Sequence, residues 1–242
     1  MLKDKIILIT GSSKKNGIGR AAAILAAEQG AHVIVHGRKE NDEVLEFAKS
    51  IGGKAVFFDA KDKDSVKDAL KGFKRIDGLI NCVGAPKVVP FLESTEQDWM
   101  DAYRTNVVGI VNVCQIAIPL MGENRSSIVN VSSVRGHSVG AGTFNAPYSA
   151  AKAALINLSV SLAKSLAPTI NVNTVSPGFT ETDFAGTWND RIWGMVKSSL
   201  VGRVGKPHEI AGLLCFLMSD QAAFITGQDF VVDGGLLMSG IK

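Results

Sequence analysis

Short apolar runs rich in valine and isoleucine recur along the 242-residue chain, separated by longer stretches in which apolar side chains return every three or four positions. The first pattern reads as strand and the second as amphipathic helix, so their alternation predicts strands and helices wound around a parallel sheet. Seven strands are expected, at 5–10, 31–36, 54–58, 77–81, 127–131, 170–175 and 228–232. Most are apolar at every position, the pattern of strands covered on both faces. Helices are expected over 17–30, 41–51, 63–73, 96–118, 147–167 and 207–219, with Pro119 and Pro168 closing two of them and Pro207 opening another. Right-handed crossovers then give a doubly wound, three-layer α/β sandwich.

No repeat, low-complexity tract or linker divides the chain, so residues 1–242 are read as a single domain. The segment from 178 to 206 shows no strand or helix pattern. Long irregular segments are commonly covers over binding sites. This one holds Phe179, Phe184, Trp188, Trp193 and Met195, and is read as a cover over the substrate.

Composition narrows the function classes. Hydrophobic residues make up 46% and charged residues 20%, enough apolar material for a sizeable core. The formal charge of +3 is scattered rather than gathered into a stripe, so nucleic acid is not implied. Cys82, Cys114 and Cys215 form neither a disulfide framework nor a zinc pattern, and no metal is expected. A reducing cytoplasm fits best. No run of about 18 apolar residues suggests a membrane span, and no signal-peptide pattern opens the chain.

The first strand leads into Thr10-Gly11-Ser12-Ser13-Lys14-Lys15-Asn16-Gly17-Ile18-Gly19-Arg20 and then an alanine-rich helix. Strand, glycine loop and helix arrive in the order a Rossmann-type dinucleotide site requires. Gly11 makes the tight turn, Gly17 admits a pyrophosphate, and Gly19 packs helix on strand. At the end of the second strand, where an acid would bind the ribose 2′-hydroxyl of NAD, the chain reads Val35-His36-Gly37-Arg38. Arginine pairs with a 2′-phosphate, so NADP(H) is preferred and NAD(H) is the alternative; Lys14 or Lys15 would add charge. Asp59, before Ala60, is read either as an acceptor for the adenine amino group or as a turn or N-cap acid near Asp62. Asn81-Cys82-Val83-Gly84 ends the fourth strand at the same crevice.

Tyr148 is followed four residues later by Lys152 on an expected helix, so phenol and ammonium share a face. A neighbouring ammonium is expected to lower the phenol's pKa from about 10 and make proton transfer easier in both directions. Ser132-Ser133 ends the fifth strand, where a hydroxyl can donate to a substrate oxygen. Asn106 lies among Val107, Val108, Ile110 and Val111, and a buried amide there needs partners: backbone carbonyls, or a water leading to Lys152.

Together these residues resemble the short-chain dehydrogenase/reductase family along essentially the whole chain, in the branch of the 3-oxoacyl-carrier-protein reductases. The motifs run in order: Thr10-Gly11…Gly17-Ile18-Gly19, Asp59, Asn81-Cys82-Val83-Gly84, Asn106, Ser133, Tyr148-Ser149-Ala150-Ala151-Lys152, Pro177-Gly178-Phe179-Thr180-Glu181-Thr182, and Gly227-Gln228-Asp229-Phe230-Val231-Val232-Asp233-Gly234-Gly235. The resemblance implies a catalytic tetrad of Asn106, Ser133, Tyr148 and Lys152, with Ser132 the alternative should the register differ. It implies a cofactor set of Gly11, Ser13, Asn16, Gly17, Ile18, Gly19, Arg38, Asp59, Ala60, Asn81, Gly84, Tyr148, Lys152, Pro177, Gly178, Thr180 and Thr182. It also implies a homotetramer or homodimer acting on a small carbonyl or alcohol. His137 is read either as a substrate contact or as a solvated loop residue.

Two departures stand out. Gly11 and Gly17 enclose five residues where the family usually has three, and the step from Ser133 to Tyr148 is about two positions longer than usual. The stretch Ser165-Leu166-Ala167-Pro168-Thr169-Ile170-Asn171 lacks a basic residue with which to dock an acidic carrier, so a free ketone or alcohol competes with a carrier thioester as substrate. The expected reaction is NADP(H)-dependent interconversion of a ketone and a secondary alcohol. The opposing readings are an idle NADP-binding sensor or scaffold and, without visible ligands, a metal-dependent alcohol dehydrogenase.

Overall fold

The computed structural model describes residues 1–122, 125–183 and 185–239, with backbone alone at Thr187. Phe184, expected among the aromatic residues of the 178–206 segment, lies outside the described residues. Seven strands form one parallel sheet: β1 (Ile6–Thr10), β2 (His32–Gly37), β3 (Lys54–Phe57), β4 (Gly78–Asn81), β5 (Ser126–Val131), β6 (Ile170–Pro177) and β7 (Asp229–Val232), in the order β3-β2-β1-β4-β5-β6-β7. The expected strand count, direction and sandwich architecture are all found. Chain order reverses between β1 and β4, where the two neighbouring strands send their following segments to opposite faces. In such sheets the crevice at that switch is where ligands bind.

Helices α1 (Ile18–Glu28), α2 (Asp42–Ser50), α3 (Lys63–Leu70), α4 (Glu96–Tyr103), α5 (Gly109–Ala117), α6 (Ala146–Leu166), α7 (Asp190–Ser198) and α8 (Pro207–Met218) follow in chain order. One core joins α1, α2 and α8 to the sheet through Ala22, Ala26, Val44, Phe47, Leu214 and Ile9; the other joins α3, α5 and α6 through Val66, Val113, Leu155 and Leu79. Local chemistry sets the starts. Asn41 accepts the Val44 N–H, Asp62 accepts those of Asp64 and Ser65, and Thr95 with Asp98 forms a capping box.

The structure corrects two expectations. The helix expected over 96–118 is interrupted by a π-helical turn, Arg104–Val108, closed by the Gly109 N–H on the Arg104 carbonyl. The 178–206 segment is not irregular throughout, because α7 lies within it. Its signal was present: Asn189 caps the helix by accepting the Ile192 N–H, and buried Val196 follows Ile192 at helical spacing. Gly194 in its middle disguised the pattern.

Candidate functional site

The carboxyl ends of β1, β4, β5 and β6 carry most of the singled-out residues to one edge of the sheet. A Cβ on Gly19 would stand 2.7 Å from the Gly11 carbonyl oxygen, so only glycine lets α1 start this close to the end of β1. Ser12 is spent on the turn itself, its Oγ donating to the Ile9 carbonyl at 2.7 Å and accepting the His36 N–H at 2.9 Å. The Ser13 carbonyl accepts from Arg20 Nη1 at 3.2 Å, and the Gly17 N–H donates to the Lys14 carbonyl at 3.0 Å. Among the described residues no acceptor meets the N–H groups of Ile18 and Gly19. These are first-turn donors of α1, aimed as an anion would require.

The extra residues of the loop reach outward. Asn16 Nδ2 donates to Asp183 Oδ1 at 3.2 Å, tying the glycine loop to the 178–206 segment. A recess of about 620 Å³ lies between the two, walled in part by Gly17, Thr182, Ala185, Lys206 and His208. Tyr148 is not one of its walls.

At the end of β2, His36 is buried and Arg38 is exposed, with no ion-pair partner for Arg38 among the described residues. Asp59 braces its own turn: Oδ1 accepts the Lys61 N–H at 3.0 Å and Oδ2 lies 3.8 Å from Lys61 Nζ. Capping of α3 falls to Asp62. The Ala60 carbonyl accepts from Asn112 Nδ2 at 3.0 Å. Asn81 is fully buried and donates to Asn130 Oδ1 at 2.9 Å; Asn130 in turn donates to Ser159 Oγ at 2.8 Å, a polar chain from β4 through β5 to α6.

The π turn places Asn106 against the loop after β4. Its Nδ2 donates to the Ala85 and Ala102 carbonyls at 3.1 and 2.9 Å, and its Oδ1 accepts the Ala85 N–H at 3.2 Å. Asn106 thus uses backbone partners, as a buried amide must. A Cβ on Gly84 would meet Asn106 Oδ1 at 2.9 Å and Lys152 Nζ at 3.1 Å, so both side chains close on that glycine. Lys152 Nζ donates to the Val131 carbonyl at 2.9 Å.

The two serines divide their tasks. Ser132 is buried and its Oγ donates to the Lys152 carbonyl at 2.9 Å, fastening α6 to β5. Ser133 lies near enough to the Tyr148 side chain to bear on its phenol, and its Oγ accepts the Arg135 N–H at 3.1 Å. Ser133, not Ser132, therefore faces the phenol.

The electrostatics differ from the expectation of a lowered phenol pKa. Burial pushes the Tyr148 phenol above its ordinary value, against the opposing pull of the Ser133 hydrogen bond and of the Arg135 charge. Lys152 Nζ stands 5.8 Å from the Tyr148 ring centre, and burial brings the ammonium itself down to about 8. The cation acting on the phenol is Arg135, from the 3-10 turn Val134–Gly136, a residue the sequence reading passed over. Its position two residues after Ser133 was the available signal.

Beyond β6, the Gly178 N–H donates to the Val232 carbonyl at 2.9 Å, directly after Pro177. Thr180 is buried, with Oγ1 donating to the Gly178 carbonyl at 3.2 Å, and the Thr182 N–H donates to the Thr180 carbonyl at 2.8 Å. Phe179, Trp188 and Trp193 form an edge-to-face chain with ring centres 5.2 and 5.5 Å apart. His137 is neither free nor simply solvated: its Nε2 lies 2.9 Å from Asp229 Oδ2, while Ser176 Oγ donates to Asp229 Oδ1 at 2.8 Å.

The chain is similar to known proteins. The family model described as Enoyl-(Acyl carrier protein) reductase matches residues 11–237. The 3-oxoacyl-(acyl-carrier-protein) reductase FabG of Thermotoga maritima is 37% identical over 248 residues, spanning 98% of this chain and 99% of that protein. A dehydrogenase/reductase from Sinorhizobium meliloti superposes with a TM-score of 0.89 at 29% identity, covering 97% of this chain and 96% of that one. Aldohexose dehydrogenase from Thermoplasma acidophilum does so with a TM-score of 0.85 at 29% identity, covering 98% and 95%. These relatives are named for unlike substrates.

Proposed function

The chain belongs to the short-chain dehydrogenase/reductase family and is an oxidoreductase acting on CH–OH groups, and from that premise we propose that it interconverts a ketone and a secondary alcohol with NADP(H), Tyr148 serving as general acid and base. The observation that carries the reading is the half-buried Tyr148 at the strand-end crevice, its phenol influenced by Ser133 and its ring centre 5.8 Å from Lys152 Nζ.

The cradle at the end of β1 fits a dinucleotide. The close start of α1 and the N–H groups of Ile18 and Gly19, which meet no acceptor among the described residues, suit a pyrophosphate, and the exposed Arg38 suits a 2′-phosphate. Gly11, Ser13, Asn16 and Gly17 would line the phosphate side, and Asp59, Ala60, Asn81 and Gly84 the adenosine and ribose side. Pro177, Gly178, Thr180 and Thr182 would flank the nicotinamide. Bound NADPH supplies the hydride that the carbonyl carbon accepts.

The chain's own groups manage the proton. Tyr148 Oη gives its proton to the carbonyl oxygen, so the ketone becomes an alcohol and the tyrosine a phenolate; in oxidation the phenolate takes the proton back. Ser133 Oγ holds the substrate oxygen in place. Lys152 stabilises the phenolate and holds the coenzyme ribose, while Asn106 keeps the backbone at Ala85 and Ala102 in the shape a proton relay needs. Burial keeps the phenol protonated at neutral pH, the form reduction consumes.

A spectrophotometric screen of ketones and alcohols with NADPH, NADH and their oxidised forms tests the reading. Turnover of at least one ketone is expected, with Tyr148→Phe reducing it about 10²- to 10⁴-fold while coenzyme still binds. Full activity in that variant sinks the assignment, and tight NADPH binding without turnover across a broad panel supports an idle sensor instead.

A second reading, reduction of a 3-oxoacyl carrier thioester, draws on the Thermotoga relative. The stretch from Ser165 to Asn171 offers no basic side chain for an acidic carrier. We read the whole chain as one cofactor-binding unit in which residues 178–206 cover the substrate, working in a reducing cytoplasm with its thiols free. Half-exposed Met100 and Tyr103 on α4 suit assembly into a homotetramer or homodimer.

A further inference from the structure

Two arginines from distant parts of the chain reach the loop that joins Ser133 to the reactive tyrosine. Arg135 sits on the turn after Ser133 with its guanidinium partly buried; Nη1 donates to the Gly140 carbonyl at 3.0 Å and Cζ stands 5.4 Å from the Phe179 ring centre. Arg191, in the first turn of α7, donates to Thr143 Oγ1 at 3.3 Å and stands 5.6 Å from the Phe144 ring centre. The charges of the two guanidinia bear on one another, and that of Arg135 bears on Tyr148. Some other cations have carboxylate partners: Lys5 pairs with Asp220, Arg20 with Glu43, Lys87 with Asp98 and Arg203 with Glu209. Among the described residues no carboxylate pairs with Arg135 or Arg191.

Placing two like charges together, one of them partly out of water, is unfavourable unless an anion joins them. Arg135 spends one donor on Gly140, and a guanidinium carries five. The remaining donors offer the fork geometry that carboxylates and phosphates fit. Nothing the coenzyme is expected to present at this end of the crevice carries negative charge, because its phosphates belong at the glycine loop.

We propose that the ketone or alcohol handled here bears an oxyanion, a carboxylate or a phosphate, close to its reacting carbon, and that Arg135 and Arg191 together receive it. The inference rests on the reading of Tyr148 as the proton-transfer residue, which fixes where the carbonyl lies. The edge-to-face chain of Phe179, Trp188 and Trp193 supplies an apolar wall for the remainder of the substrate. Since α7 brings Arg191, anion binding also draws that helix toward the turn holding Arg135. A neutral 3-oxoacyl thioester presents no such charge beside its ketone.

The test is NADPH oxidation with short α- and β-keto acids, each beside its own methyl ester, and with hydroxyacetone phosphate beside hydroxyacetone. The charged member of at least one pair is expected to exceed its neutral partner by about 10- to 100-fold in kcat/KM; which pair shows it separates carboxylate from phosphate. In Arg135→Met the charged substrate loses more than the neutral one, mainly through KM, so that the preference collapses; Arg135→Lys restores part of it. Arg191→Met, at an exposed position of α7, moves the preference in the same direction. Equal turnover of charged and neutral partners overturns the proposal while leaving the carbonyl reductase reading intact, as does an equal loss of both in the variants or a thioester of pantetheine outpacing every acid. Absence of turnover with every ketone, charged or neutral, overturns both.

Discussion

The Gly11 N–H donates to His36 Nδ1 at 2.9 Å, and the opposite ring nitrogen lies 3.0 Å from the Phe58 carbonyl oxygen. With Nδ1 the acceptor, the proton belongs on Nε2, where it donates to Phe58. The neutral ring therefore ties the first turn of the glycine loop to the ends of β2 and β3.

Burial brings His36 down to about 4 from 6.5, so the neutral ring is what the fold holds. Between those values the unfolded chain binds the proton and the folded chain does not, so stability is complete above pH 6.5 and declines as pH falls toward 4. The loss amounts to about 3 kcal/mol. Urea unfolding of the wild type and His36→Phe across this range should show the variant less stable at neutral pH but less acid-sensitive. Parallel acid profiles for the two would contradict this role.

Arg135 is the cation that opposes burial at Tyr148. Removing it leaves the burial cost unrelieved, so Arg135→Met should move the rising limb of alcohol oxidation, which needs the phenolate, to higher pH. The pH dependence of kcat for wild type and variant measures it directly. A limb that stays put or moves to lower pH would falsify the electrostatic assignment.

Lys152 is held at about 8 rather than 10.5, so at neutral pH the fold carries a buried ammonium. Above pH 8 the folded chain releases that proton before the unfolded one does, and stability rises with pH up to 10.5. Lys152→Met should abolish turnover yet be more stable at pH 7 by about 1–3 kcal/mol, less the lost bond to the Val131 carbonyl. Its advantage should shrink by pH 10. Thermal melts at both pH values check this, and a variant less stable at pH 7 would show that the ammonium is well compensated.

Arg38 is exposed at the end of β2, without an ion-pair partner among the described residues. Arg38→Ser is expected to raise KM for NADPH about 10- to 100-fold and to leave KM for NADH nearly unchanged. Equal effects on both coenzymes would assign Arg38 to the surface alone.

The sequence by itself determined the alternation of strand and helix, the parallel direction of the sheet, and the places where Gly11, Asn106, Tyr148 and Lys152 meet the crevice. Those features follow from local periodicity, capping residues and strand-end position, which neighbouring residues encode. It did not reveal α7, masked by Gly194, or the π turn at Asn106, where the amide meets the distant backbone of Ala85. The direction of the Tyr148 shift, the choice of Ser133 over Ser132 and the meeting of Arg135 with Arg191 were decided only by tertiary structure. Burial and charge proximity are collective properties: they depend on which distant segments close over a group, and spacing along the chain carries no record of that.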